Sequence, residues 1–208
     1  SGTTGAQKLV RLSGLNLHSN AKSIAQYLEI NDKDVAITSL PLHYSYGLSV
    51  LHSYLLAGRK LVLTDHSIVQ TEFWDLARSH GVTSLALVPM QYELLAKNDF
   101  SRNWLPSLRY MTQAGGRLDR DLVQRFAEAA HFEGWKFFIM YGQTEAGPRI
   151  SYLPAEDAQH CGDSIGRAIP GGTLRIEDAD GQPINTPGIP GELVYEGPNV
   201  CLGYAETR

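Results

Sequence analysis

The sequence predicts an α/β fold: a mostly parallel sheet flanked by helices, followed by a small antiparallel β subdomain. Three observations carry this expectation. Short apolar strand patterns alternate with segments of helical period up to about residue 142, which is how parallel strands joined by crossover helices read in sequence. The strand at residues 82–88 is nearly continuous in apolar residues and stops at Pro89. From about Cys161 onward Gly and Pro become frequent and helical periodicity disappears.

The elements follow in order. Residues 8–12 read as a short strand after a Gly/Thr-rich loop. Leu17, Ala21, Ile24, Ala25 and Leu28 recur at a helical period. Residues 34–40 form a strand stopped by Pro41. Residues 48–56 are apolar enough for a buried helix, ended by Gly58. Residues 60–64 are a strand. Phe73, Leu76, Ala77 and His80 mark a helix for which Gly81 is a fitting stop. After the strand at 82–88 comes a short helix at 92–96. The strand at 108–113 runs into Ala114-Gly115-Gly116. Residues 119–130 are a helix with Leu122, Phe126, Ala129 and Ala130 on one face, and residues 136–140 are another apolar strand. Residues 173–177, the Asp180-Gly181 turn and residues 191–196 read as short antiparallel strands and turns. Residues 1–155 are thus expected to form the α/β part and 156–208 a small β-rich subdomain, with the boundary falling within 153–162.

Composition narrows the function classes. The chain has 208 residues, 43% hydrophobic and 19% charged, enough for one sizeable domain or somewhat more. Its net charge is −4 and it contains no Lys/Arg run, so nucleic acid is not an expected partner. Cys161 and Cys201 are far apart and match no metal spacing, which reads as a reduced cytosolic pair. No apolar run approaches ~18 residues and no signal peptide opens the chain, so a cytoplasmic protein without a membrane span is expected. Ser1 stands inside a loop and residues 203–208 carry no capping element, so the chain reads as a fragment of a longer one.

Four short stretches carry candidate chemistry. In Ser1-Gly2-Thr3-Thr4-Gly5-Ala6-Gln7-Lys8 the glycines let backbone N–H groups converge on phosphate oxygens, and the hydroxyls and Lys8 add donors and charge. A P-loop is excluded, because it needs Gly-Lys-Ser/Thr adjacent and here Leu9 follows the lysine. A solvated Gly/Thr loop fits the same stretch. Tyr141-Gly142-Gln143-Thr144-Glu145 follows an apolar strand, where ligands of open α/β sheets bind. Its carboxylate could hold Mg²⁺ beside a polyphosphate, and the alternative is a polar turn. Ala114-Gly115-Gly116 could lie flat against a purine or be a plain turn. In Pro41-Leu42-His43-Tyr44-Ser45-Tyr46-Gly47, the residues His43, Tyr44 and Tyr46 could wall an acyl or aryl pocket or simply pack.

Taken in order, these stretches are joined by Ser164-Ile165-Gly166-Arg167 to Pro170-Gly171 and by Gly191-Glu192-Leu193 to Gly197-Pro198-Asn199-Val200 to Gly203-Tyr204. The series resembles the adenylate-forming (AMP-binding) superfamily: acyl- and aryl-CoA synthetases, nonribosomal peptide adenylation domains and firefly luciferase. The resemblance spans the whole chain and implies a fragment of the large N-terminal domain of such an enzyme. It implies that the loop with Gly2, Thr3, Thr4, Gly5 and Lys8 handles the β- and γ-phosphates of ATP. It implies that Ala114, Gly115, Gly116, Tyr141, Gly142 and Gln143 border the nucleotide, that Thr144 contacts phosphate and that Glu145 binds Mg²⁺. Gln7 departs from the family, which usually has Pro before this lysine.

The implied reaction is attack of a substrate carboxylate on the α-phosphate, with pyrophosphate leaving and an acyl-adenylate remaining. The acyl group then passes to a thiol, either coenzyme A or the phosphopantetheine of an acyl carrier protein. Peptide-forming members usually place an Asp where Ser45 falls, to hold a substrate ammonium. No Asp or Glu lies between Pro41 and Arg59, which points to a fatty, aryl or hydroxy acid. In the resemblance, a ribose-binding acid and a mobile domain with a further catalytic lysine come later in the parent, so this chain alone is expected to be inactive as a ligase. A carrier-loading adenylation domain, a non-catalytic nucleotide-binding module and a ligand-free interaction scaffold are the competing readings.

Overall fold

The computed structural model describes residues 8–98 and 105–205. β1 (Leu9–Val10) leads into α1 (Gly14–Tyr27). Strand and helix then alternate through β2 (Val35–Ile37), α2 (Ser45–Leu56), β3 (Lys60–Val62), α3 (Thr71–Ser79), β4 (Ser84–Leu87), α4 (Pro89–Lys97), β5 (Tyr110–Gln113), α5 (Arg120–Glu133) and β6 (Lys136–Gly142). β7 (Arg149–Leu153), β8 (Arg167–Ala168), β9 (Thr173–Glu177), β10 (Glu192–Glu196) and β11 (Tyr204–Ala205) complete the described chain.

A seven-stranded sheet in the order β3-β2-β4-β5-β6-β7-β8 forms the centre. β3, β2, β4, β5 and β6 are parallel, whereas β7 and β8 are antiparallel additions at the β6 edge. The small antiparallel pairs β9–β10 and β1–β11 stand apart from it. The fold class is therefore the expected one, with differences in detail. The main sheet continues past residues 153–162, because β8 pairs with β7. Tyr141 and Gly142 end β6 rather than following it. α2 starts at Ser45, so its first turn takes in the end of the predicted Pro41–Gly47 loop. Among the described residues no helix is long and apolar enough to cross a membrane.

Period-two alternation splits the core across the sheet. Leu85, Leu87, Met111, Phe137 and Ile139 face α3, α4 and α5, and pack with Phe73, Tyr92 and Phe126. Ala86, Tyr110, Ala114, Phe138 and Met140 face α1 and α2, and pack with Ile24, Tyr27 and Tyr46. Phe73, Leu87 and Tyr92 are fully buried; such a side chain contributes about 2 kcal/mol by leaving water.

Local chemistry sets the helix ends that matter for the site. Ser13 caps α1 in a reciprocal box with Asn16, and the Asn16 amide reaches on to donate to the carbonyls of Pro198 (2.7 Å) and Val200 (2.9 Å). Pro89 occupies the first turn of α4, where its absent N–H costs nothing. Gln91 accepts from the Val88 N–H and donates to the Ser39 carbonyl at 2.9 Å. That side chain ties together the segments that follow β2 and β4. At the opposite end of the sheet, buried Asp34 accepts from Arg109 and from the Thr83 hydroxyl (2.8 Å), fixing β2 against β4 and β5.

Candidate active site

The parallel strand order reverses between β2 and β4. Beyond the carboxyl ends of these strands lie Tyr44 and Ser45, Val88, Ala114–Gly116 and Gln143–Pro148, which follow β2, β4, β5 and β6. Gly115 adopts φ +82°, and a Cβ added there would stand 2.4 Å from the Tyr44 hydroxyl and 3.1 Å from Val88. Only glycine combines this backbone with so close a neighbour. Ala114 is buried, while Gly115 and Gly116 are exposed as a low floor at the sheet edge. The Gly116 carbonyl accepts from the Gln113 amide at 2.7 Å, which holds the turn.

β6 ends at an irregularity between Tyr141 and Gly142. A Cβ on Gly142 would meet the Pro148 carbonyl at 2.0 Å, so the chain folds back directly over it. The next residues form a tight turn, Thr144–Ala146. Thr144 Oγ1 lies 3.4 Å from Ser45 Oγ at the start of α2, which brings the turn after β6 up to the aromatic segment after β2.

Glu145 is held from the far end of the chain. The Tyr204 hydroxyl donates to its carboxylate at 2.9 Å, and the Cys201 N–H donates to its carbonyl at 2.8 Å. Accepting from this donor and repelling a phenolate, Glu145 raises the pKa of Tyr204 above its ordinary value. The Lys8 ammonium stands 4.8 Å from the centre of the same Tyr204 ring. Lys8 and Glu145 therefore flank one aromatic residue, because β1 and β11 pair.

Two buried asparagines brace the turn. The Asn199 amide donates to the carbonyls of Ala146 (2.6 Å) and Arg149 (2.8 Å). The Asn20 amide reaches the same two carbonyls at 3.3 and 3.1 Å. Thr144 and Glu145 thus sit on a segment pinned from both α1 and the 197–200 loop.

The structure brings together Lys8, Tyr44, Ala114, Gly115, Gly116, Tyr141, Gly142, Gln143, Thr144 and Glu145 at one edge. His43 is exposed at the rim. Tyr46 is 3% exposed and turns inward, its hydroxyl bonded to the Thr112 carbonyl (3.0 Å) and hydroxyl (2.7 Å). It belongs to the layer beneath the edge, because it lies in the first turn of α2 facing β5. Gly2, Thr3, Thr4 and Gly5 lie outside the described residues. Asn20, Asn199, Tyr204 and Arg149 join the site without standing out as site residues in the sequence. Asn199 and Tyr204 stand inside quoted motifs but show their chemistry only through partners far away in sequence. Asn20 carries no sequence signal.

Open α/β sheets of this class bind ligands beyond the carboxyl ends of their strands where the order reverses, and the candidate residues stand there. The particular family follows from comparison: the chain belongs to the AMP-binding enzyme family, whose profile matches residues 1–205. It is 32% identical to an indoleacetate–CoA ligase of Aromatoleum aromaticum, over 98% of this chain and 39% of that relative. It is 30% identical to a long-chain-fatty-acid–CoA ligase of Yersinia pestis, over 98% of this chain and 36% of that protein. Among solved structures, it resembles the o-succinylbenzoate CoA synthetase of Bacillus subtilis in complex with its acyl-adenylate intermediate. There the TM-score is 0.87 and the identity 29%, over 100% of this chain and 41% of that one. The same synthetase is also known bound to ATP and magnesium, at a TM-score of 0.86. The chain therefore spans about two fifths of the length of these relatives.

Proposed function

We propose that the protein containing this chain activates a carboxylic acid with ATP and passes the acyl group to coenzyme A. The observation that carries the reading is the Lys8–Tyr204–Glu145 arrangement beside the Gly115–Gly116 floor. It sets a cation and a carboxylate next to a surface flat enough for a purine. CoA-ligase relatives, and a structural neighbour holding an acyl-adenylate, support the same chemistry.

In this reading Ala114, Gly115, Gly116, Tyr141, Gly142 and Gln143 border the adenosine, and Thr144 donates to phosphate. Lys8 neutralises charge on the β- and γ-phosphates, to which Thr3 and Thr4 donate hydrogen bonds. Glu145 fits Mg²⁺ by its chemistry. Among the described residues no group of three or more metal-ligating side chains exists, and Mg²⁺ is commonly held by one or two carboxylates plus substrate phosphates. Bound there, the ion supplies charge neutralisation to the departing pyrophosphate. His43 and Tyr44 stand at the rim where the substrate carboxylate enters. That carboxylate attacks the α-phosphorus, the bond to the bridging oxygen breaks, and pyrophosphate leaves with the electron pair. The chain's own residues act by positioning and by fixed donors, which dominate phosphoryl-type transfer.

The test is acid-dependent exchange of labelled pyrophosphate into ATP by the full-length protein. Glu145→Ala is expected to slow exchange by about 100-fold, the usual effect of removing one preorganised charge-stabilising group, with little change in melting. Exchange at the wild-type rate in that variant would refute the assignment.

A further inference from the structure

Arg149, the first residue of β7, is 2% exposed. Its Nε is buried without a hydrogen-bond partner. Among the described residues no carboxylate forms an ion pair with it. Its guanidinium carbon lies 4.8 Å from the centre of the Tyr46 ring, and the buried Tyr27 phenol stands beside it. A buried cation without a counter-ion is costly, and proteins that keep one pair it with something.

The side chain lines a chamber between α1, α2 and the sheet, with a volume of about 20 Å³, room for one oxygen-sized group. Of the hydroxyls around it, only the Tyr27 phenol is also turned to Arg149, and a neutral phenol does not balance its charge. Tyr27 donates to Met140 Sδ, Ser49 donates to the Tyr46 carbonyl, and Tyr46 is bonded to Thr112. Arg149 is the charged group of this wall, met by the Tyr46 ring and the Tyr27 phenol but by no carboxylate among the described residues. The chamber lies just under the candidate active site. Thr112 is two residues below Ala114 on the same face of β5, and Met140 is two residues below Gly142 on β6. Two strand residues span about 7 Å.

We propose that Arg149 is a specificity-determining residue whose guanidinium pairs with a second acidic group on the substrate, so that the acid activated at the sheet edge is a narrow dicarboxylic acid. This rests on the acid-activating reading above. A guanidinium fork is suited to a carboxylate. Two strand residues of about 7 Å separate the lining residues Thr112 and Met140 from the edge, a span that suits a short unbranched diacid of roughly four to six carbons. The small chamber admits the tip of a carboxylate and not a ring. The same charge would repel a substrate ammonium, in keeping with the absence of any acid between Pro41 and Arg59.

The experiment compares acids of equal length in pyrophosphate release by the full-length protein: succinate with butanoate, glutarate with pentanoate, adipate with hexanoate. The wild type is expected to favour the diacid at least tenfold in kcat/KM at one or more lengths. Arg149→Met is expected to reverse that preference, gaining on the monoacid as it loses on the diacid, which a merely structural role would not produce. Arg149→Lys should retain part of the preference. Calorimetry of diacid binding without ATP gives a second readout and should show binding lost in Arg149→Met. A wild type that prefers the monoacid at every length, or an unchanged ratio in Arg149→Met, overturns the proposal while leaving acid activation intact. A rise in melting with chloride alone, without diacid preference, assigns the charge to a free anion and also overturns it. If no acid supports pyrophosphate release, the acid-activating reading fails, and diacid calorimetry still decides the role of Arg149.

Discussion

Asn199→Ala tests how firmly the turn carrying Thr144 and Glu145 is held. The wild-type amide donates to Ala146 and Arg149 carbonyls at 2.6 and 2.8 Å, and its oxygen accepts from the Tyr195 hydroxyl at 2.8 Å. Each such bond is worth about 1 kcal/mol net. Asn20 also reaches both carbonyls, at 3.3 and 3.1 Å, so neither is orphaned when Asn199 is truncated. The expected cost is therefore about 2 kcal/mol for Asn199→Ala and about 1 kcal/mol for Asn20→Ala. The double variant removes both side-chain donors from these carbonyls and should cost about 5 kcal/mol, a coupling of about 2 kcal/mol. Denaturant unfolding of the full-length protein measures the totals, and amide exchange at Ala146 and Gly147 reads the turn itself. Simple additivity of the two substitutions, or wild-type exchange protection at the turn in the double variant, would refute the shared-clamp reasoning.

Three further outcomes follow from particular contacts. Asp34→Ala should destabilise by about 2–3 kcal/mol in denaturant melts, because it removes the charged bond to Arg109 and the partner of the Thr83 hydroxyl. Gly115→Ala should weaken ATP binding measured by calorimetry, since its Cβ would push on Tyr44 from a left-handed backbone; Gly115→Ala/Tyr44→Phe should recover part of the loss. His52 is half-buried, and desolvation lowers its pKa below 6.5. The folded state then binds the proton less readily than the unfolded chain, so its stability contribution is present above pH 6.5 and lost as pH falls through the lowered value. His52→Gln should flatten the drop in melting temperature below pH 6.5.

The parallel part of the fold was legible because punctuation bounded it. Pro41, Gly58, Gly81 and Pro89 each close an apolar run, and the observed strands and helices respect them. Pro89 carried a second meaning as a first-turn residue of α4, which lengthened that helix relative to its apolar pattern. α2 begins early because Gly47 has a packing role rather than a turn role: a Cβ there would meet the Pro41 carbonyl at 2.4 Å. β7 and β8 escaped notice for want of local signal. β7 opens with a charged residue next to Gly147-Pro148, and β8 has only two residues. Their pairing is decided by the open edge of β6, which no window of sequence displays. At the site, the glycine and turn motifs were visible as residue types. The contacts of Tyr204 with Glu145, of Asn199 with the turn, and of Arg149 with its chamber join segments remote in sequence, so they emerge only from the fold.

Attack of a carboxylate on the α-phosphate leaves an isotopic mark on the nucleotide product. The full-length protein is incubated with ATP, coenzyme A and an acid labelled with ¹⁸O in its carboxylate, and the nucleotide products are weighed by mass spectrometry. AMP carrying one ¹⁸O atom is expected, with unlabelled pyrophosphate and the acyl thioester as the other products. Formation of ADP and phosphate, or of AMP without label, would contradict it.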